Sequence, residues 1–164
     1  MYLTIKVRHS YYICKGIQKY FFMNIGVLLR TPFLALTDRI HSDLAKSGFE
    51  DVRQAHGNVF QFIGKNGARV TTMAEKARMT KQSMSYLVEY LEERGYVIRK
   101  PDPEDKRAVI FCLTAKGWKA VNAAEQSIKA IQDEWREQLG HKKFDTMVNA
   151  LDDLNGIVNI SDSK

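Results

Sequence analysis

The chain has 164 residues, 45% hydrophobic and 27% charged, which is enough for one folded domain with its own core and unlike a disordered chain. No apolar run approaches the roughly 18–20 residues that span a bilayer, and two distant cysteines, Cys14 and Cys112, rule against a disulfide framework and point to a reducing cytoplasm. The formal net charge is +6, but residues 1–22 hold Lys6, Arg8, Lys15 and Lys19 and no acid, leaving +2 for the rest, so a polyanion-binding surface must rest on where charges sit.

Residues 1–22 carry six aromatics (Tyr2, Tyr11, Tyr12, Tyr20, Phe21, Phe22) without helical spacing. Lys15, Gln18 and Lys19 interrupt any signal-peptide core. The segment reads as translated upstream sequence before a natural start at Met23; the competing reading is a basic arm that grips DNA or a partner subunit. Residues 25–46 then predict a helix, with Ile25, Leu28, Leu29, Leu36, Ile40 and Leu44 near helical spacing. Pro32 either kinks it or opens a helix capped by Thr31. A second helix is expected over Val52–Ile63, with Val52, Ala55, Val59, Phe60 and Ile63 on one face, ended by Gly64-Lys65-Asn66-Gly67.

Two short helices follow. The first is expected over Thr72–Arg78, with Met73, Ala74 and Ala77 inward. The second is capped by Thr80, carries the stripe Met84, Leu87, Val88 and Leu91, and stops at Gly95. The period then changes to that of a strand. Tyr96–Arg99 and Arg107–Leu113 predict a hairpin whose tip, Pro101-Asp102-Pro103-Glu104-Asp105, holds two of the three prolines. Thr114 caps a long helix to about Leu139. Its residues Val121, Ile128 and Trp135 are seven apart, a seam suited to another helix, including one from a second subunit. Gly140 breaks it, and 142–158 form a last helix with Phe144, Met147, Val148, Leu151, Leu154 and Val158 apolar.

A helix-turn-helix followed at once by a β-hairpin is the informative pattern. The second helix of such a pair presents its N-terminal turns to the major groove, while the hairpin, as a wing, reaches phosphate or a narrow minor groove. Thr80, Lys81, Gln82, Ser83, Ser85 and Tyr86 are the candidate readers: short polar side chains allow close approach, and Gln82 can pair bidentately with adenine. Ser and Thr also favour a first helical turn for structural reasons alone. In the wing, Arg99 leads into the tip, with Lys106 and Arg107 leading out. Asp105, two residues from Arg107, is placed to orient its guanidinium.

Thr72-Met73-Ala74-Glu75, Met79 to Ser85, Leu91-Glu92-Glu93-Arg94-Gly95-Tyr96-Val97, Pro103-Glu104-Asp105-Lys106-Arg107-Ala108 and Leu113-Thr114-Ala115-Lys116-Gly117 together resemble the MarR family. The Asp-x-Arg-Ala wing followed by Leu-Thr-x-x-Gly is the specific part, and the resemblance covers about 24–158. It implies a mainly α (α+β) winged helix-turn-helix fold that forms a homodimer on a pseudopalindromic double-stranded operator. Many members are repressors released by small aromatic effectors. On this reading 1–23 is an extension, 24–50 an N-terminal dimerisation helix, 51–113 the winged-helix DNA-binding region, 114–158 the C-terminal dimerisation helices and 159–164 a tail. The dimer surface would use Leu28, Leu29, Val121, Ile128, Trp135, Phe144, Val148 and Leu151. Tyr86 departs from the family, many of whose members have an arginine there. Cys112 reads as a small packed hydrophobe rather than an oxidant sensor, and His41 and His56 as structural residues rather than lining of an effector cleft.

The four histidines are scattered and no metal-ligand spacing occurs, so neither metal nor cofactor is expected. Paired carboxylates, a nucleophile elbow and a phosphate-cradling glycine loop are all missing from the sequence, which argues against an enzyme. The expected activity is that of a DNA-binding transcription regulator; the alternative is a winged-helix module that binds protein through the same surface.

Overall fold

The computed structural model describes residues 24–105 and 107–161; the extension 1–23, with Cys14, the wing residue Lys106 and residues 162–164 lie outside the described residues. Two units divide the chain between Thr37 and Asp38. Helix α1 (Ile25–Lys46) begins in the first unit and ends in the second, and it runs unbroken through Pro32. Asn24 starts it, its side-chain Oδ1 accepting from the Val27 N–H at 3.0 Å. Of the two readings of Pro32, a helix opened at Thr31 is therefore set aside, because the chain is already helical from Ile25.

In the second unit the expected helix over Val52–Ile63 is shorter and begins differently. Val52 and Arg53 are irregular, Gln54–His56 form a 3₁₀ turn, and only Gly57–Phe62 is α-helical (α2). The cause is local: His56 Nδ1 accepts from the Arg53 N–H at 3.0 Å, which holds the first turn tight, and Val52 is buried just ahead of the extended Arg53. Ala55 is exposed rather than inward, whereas Val59 and Ile63 are buried as expected. Helix α3 (Val70–Lys76) starts two residues before the expected Thr72 and ends before Arg78, which takes a left-handed conformation (φ 51°). Helix α4 (Lys81–Glu93) has the expected cap and stripe: Thr80 Oγ1 accepts from the Ser83 N–H, and Met84, Leu87, Val88 and Leu91 are buried. Gly95 (φ 72°) ends it in a conformation that costs other residues energy.

Strands β1 (Val97–Pro101) and β2 (Val109–Leu113) pair antiparallel, with Arg99 opposite Phe111. β2 begins two residues after the expected Arg107, because the Ala108 N–H is already committed to the Asp105 carbonyl at 2.8 Å in the turn. A further bridge joins β2 to the approach to α3: Ala68 and Phe111 exchange both main-chain hydrogen bonds, at 3.0 and 2.9 Å. Helix α5 (Ala115–Leu139) is capped by Thr114, whose Oγ1 accepts from the Gly117 N–H and donates to the Gly95 carbonyl. Gly140 (φ 82°) separates it from α6 (His141–Ser161), which continues three residues past the expected end.

The core lies where α2, α3, α4 and the hairpin meet, with Val59, Met73, Met84, Val88, Leu91 and Tyr96 fully buried. Burial of such side chains stabilises the fold by about 1.5–3 kcal/mol each. Asp51 ties its edge together: its carboxylate accepts from the Tyr96 hydroxyl and faces Arg94 and Lys116, and its carbonyl accepts from the Tyr90 hydroxyl. The C-terminal part of α1 is held to α5 by Ser127 donating to Asp43 at 2.8 Å and by Arg39 facing Glu134. Among the described residues, no helix is long and apolar enough to cross a membrane.

Candidate nucleic-acid interface

The first turns of α4 project away from the core. Lys81, Gln82 and Ser83 are exposed, and Tyr86 is 70% exposed. Ser85 is half-buried because it faces the hairpin instead of open solvent. Thr80 and Ser83 are joined, Thr80 Oγ1 donating to Ser83 Oγ at 2.8 Å while accepting the Ser83 N–H, so both hydroxyls also close the helix end. The structural and reading roles therefore fall on the same residues, and Lys81, Gln82, Ser85 and Tyr86 are those left to meet a ligand.

Between α4 and the hairpin lies an open cleft of about 390 Å³. Lys81, Ser85 and Glu89 line one side, Arg99, Val109 and Phe111 the other, and Arg69, Val70 and Thr71 close the end. Three cations and two hydroxyls around one concavity suit a phosphate or a groove edge. Arg99 is held within this wall: its guanidinium pairs with Glu92 at 3.1 Å and lies over the Phe111 ring. Arg107 is exposed at the end of the tip.

The tip differs from expectation in one contact. Asp105 Oδ1 accepts from the main-chain N–H of Arg107 at 3.0 Å, so the carboxylate shapes the turn rather than gripping the guanidinium. Its other oxygen faces Arg69 Nη2 at 4.0 Å. The physical reason is that β2 begins only at Val109: Asp105 and Arg107 sit in a turn, where i and i+2 do not share a strand face.

Two residues that the sequence reading passed over are central here. Asp102 is only 6% exposed between two exposed prolines, and its carboxylate is bonded by the Glu104 N–H at 2.8 Å and by Arg69 Nε. These bonds hold it below the usual carboxylate range, the Glu104 N–H first and Arg69 next. Arg69 lies 33 positions earlier, so no local spacing signals the pair. Lys106 lies outside the described residues.

Of the expected dimer surface, Leu28 and Leu29 are exposed on α1, and Val148 and Leu151 are exposed on α6. Val121, Ile128 and Trp135 are half-buried on α5. Phe144 is a correction: at 3% exposure it is consumed within its own chain, where it packs under Arg136 of α5. His56 is buried, stacked on Tyr90 at 4.5 Å, and so serves the core.

Residues 50–108 match the MarR family model. The chain is 33% identical over 75 residues to the transcriptional regulator HosA of Escherichia coli O111:H-, covering 46% of this chain and 56% of that one. It is 25% identical over 96 residues to the HTH-type transcriptional regulator YkoM of Bacillus subtilis (strain 168), covering 58% and 60%. The matches thus span less than two thirds of either relative. In fold it resembles CouR from Rhodococcus jostii RHA1 bound to p-coumaroyl-CoA, with a TM-score of 0.68, 22% identity and coverage of 88% and 95%. CouR bound to a 23-mer DNA duplex gives the same TM-score at 20% identity, with coverage of 87% and 99%. Over residues 50–108 the chain is thus similar to the MarR family, and the helical fold around that segment is shared with these solved structures.

Proposed function

We propose that this chain is a sequence-specific double-stranded DNA-binding transcription regulator that acts as a homodimer and as an effector-responsive repressor. The observation that carries the reading is the shared cleft. The polar opening of α4 and the cationic wing face one concavity, so both can engage a single duplex. Lys81, Gln82, Ser85 and Tyr86 would enter the major groove, while Arg107 and Lys106 at the wing would meet phosphate or the adjacent minor groove. CouR, of the same fold, is known both on DNA and with an aromatic acyl-CoA, which supports an aromatic effector here. Dimerisation would draw on the apolar residues that α1 and α6 each leave exposed, among them Leu28, Leu29, Val148 and Leu151, with Met147 taking the place of Phe144.

The test is selection of bound duplexes from a random library, followed by gel-shift titration of Arg107→Ala. Binding should weaken and its salt dependence should fall by about one phosphate. Equal affinity and slope would remove Arg107 from the interface, and a wild-type chain that holds no duplex at low salt would overturn the regulator reading.

A further inference from the structure

The tip of the wing carries three acids, Asp102, Glu104 and Asp105, at a place expected to approach phosphate. Left unneutralised they would repel a duplex. One guanidinium answers two of them: Arg69 Nε bonds Asp102, and Arg69 Nη2 faces Asp105 at 4.0 Å. Arg69 is fixed in turn from behind. It is the extended N-cap residue of α3 (φ −72°, ψ 147°), and its neighbour Ala68 is bonded to Phe111 of β2 through both main-chain groups. From Asp102 the connection continues forward. Its N–H donates to the Ala108 carbonyl, the Ala108 N–H to the Asp105 carbonyl, and Asp105 caps the Arg107 N–H. A chain of hydrogen bonds therefore runs from the start of the helix-turn-helix to the main chain of Arg107.

We infer that Arg69 is a positioning residue for DNA binding: through Asp102 it fixes the wing tip relative to α4, so that Arg107 and the first turns of α4 reach the same duplex. The inference rests on the regulator reading. Arg69 is 40% exposed on its side chain and borders the cleft, so the rival role is a direct phosphate contact. The two differ in sign and in salt dependence. If Arg69 touched phosphate, its loss would lower the salt slope by about 0.9, and removing the charge of Asp102 would tighten binding. If Arg69 positions the wing, Asp102→Asn weakens binding although it deletes a negative charge, and the slope falls only by the share of contact that Arg107 loses, so that in an Arg107→Ala background it stays as it was.

The experiment uses the full chain and a duplex selected by the wild type. Arg69→Ala, Arg69→Lys and Asp102→Asn are each expected to weaken binding roughly three- to thirtyfold. In an Arg107→Ala background the slope should not change further with Arg69→Ala, and the double variant Arg69→Ala/Asp102→Asn should be no worse than either single one. Adding Arg107→Ala to Arg69→Ala should cost less than it does in the wild type, a coupling that a general loss of stability does not produce. Hydrogen exchange of residues 102–108 in the free variants reads the clamp without DNA and should rise in all three, with the melting temperature showing that the fold persists. Tighter or equal binding by Asp102→Asn, a slope that falls when Arg69→Ala is added to Arg107→Ala, full rescue by lysine or unchanged exchange at the tip would each overturn the inference. A wild-type chain that binds no duplex would instead sink the regulator reading itself.

Discussion

His56 shows how a single side chain can set the response to acid. It is buried, its Nδ1 accepts from the Arg53 N–H, and its ring lies on Tyr90. Burial first, then the charges of Arg53 and Arg94, push its pKa below the usual 6.5. The unfolded chain therefore takes up the proton before the folded one, and stability falls as pH drops below about 6.5. Thermal melts at pH 7.5 and 5.5 should show a drop that His56→Gln reduces; an identical drop would place the acid sensitivity elsewhere. Tyr86 makes the complementary case at the surface. It offers a phosphate one hydroxyl and no charge, so Tyr86→Arg should tighten binding to non-specific duplex and steepen the salt dependence by about one phosphate. Filter-binding titrations at several salt concentrations would measure both, and a slope unaltered by the arginine would place position 86 away from the backbone.

At the level of elements, what the sequence disclosed was local. Thr80 and Thr114 cap their helices, Gly95 and Gly140 stop theirs, and the stripe Met84, Leu87, Val88 and Leu91 is buried, because each signal operates within one or two turns. Thr80→Ala should destabilise the chain by about 1 kcal/mol in urea melts, since it removes the Ser83 N–H partner. Where the sequence misled, a contact that hydrophobic spacing does not register had intervened. The 3₁₀ turn at Gln54–His56 follows from the His56–Arg53 bond and the pull of Val52 into the core. β2 loses Arg107 to a turn closed between Ala108 and Asp105. Asp102 read as a loop residue between prolines and proved to be a buried carboxylate, because its cation stands before a different helix. Gly67 shows the same dependence. With φ 85° and only 2.6 Å from an added Cβ to the Phe111 carbonyl, it lets the chain pass close beside β2. Gly67→Ala should loosen the wing, read as faster hydrogen exchange across Val109–Leu113.

For the whole molecule, the proposed duplex interface is assembled from three stretches of sequence: the approach to α3, the opening of α4 and the hairpin. The family model covers the first two and the hairpin only as far as Ala108, leaving out β2 and the helices at either end of the chain. Those helices supply the exposed apolar residues from which a dimer is proposed. Light scattering at micromolar concentration should give twice the mass of one chain, and Leu151→Glu on α6 should shift it towards the monomer. Two-fold symmetry then requires half-sites about one helical turn apart in the selected duplexes. A pair of alternative occupants, protein or DNA, is separated by the same selection.

Cys112 gives this assembly a built-in clock. Its thiol sits half-buried in β2 against the Asn66 carbonyl, at 3.7 Å, beside the seam that joins the hairpin to residue 68. The thiol is already partly exposed and parting of that seam would expose it further, so the rate of modification in a Cys14→Ser background should rise with excursions of the wing away from its support. Bound duplex should slow that rate by closing the seam from both sides, which turns one unremarked sulfur into a gauge of how often the chain is unready to bind.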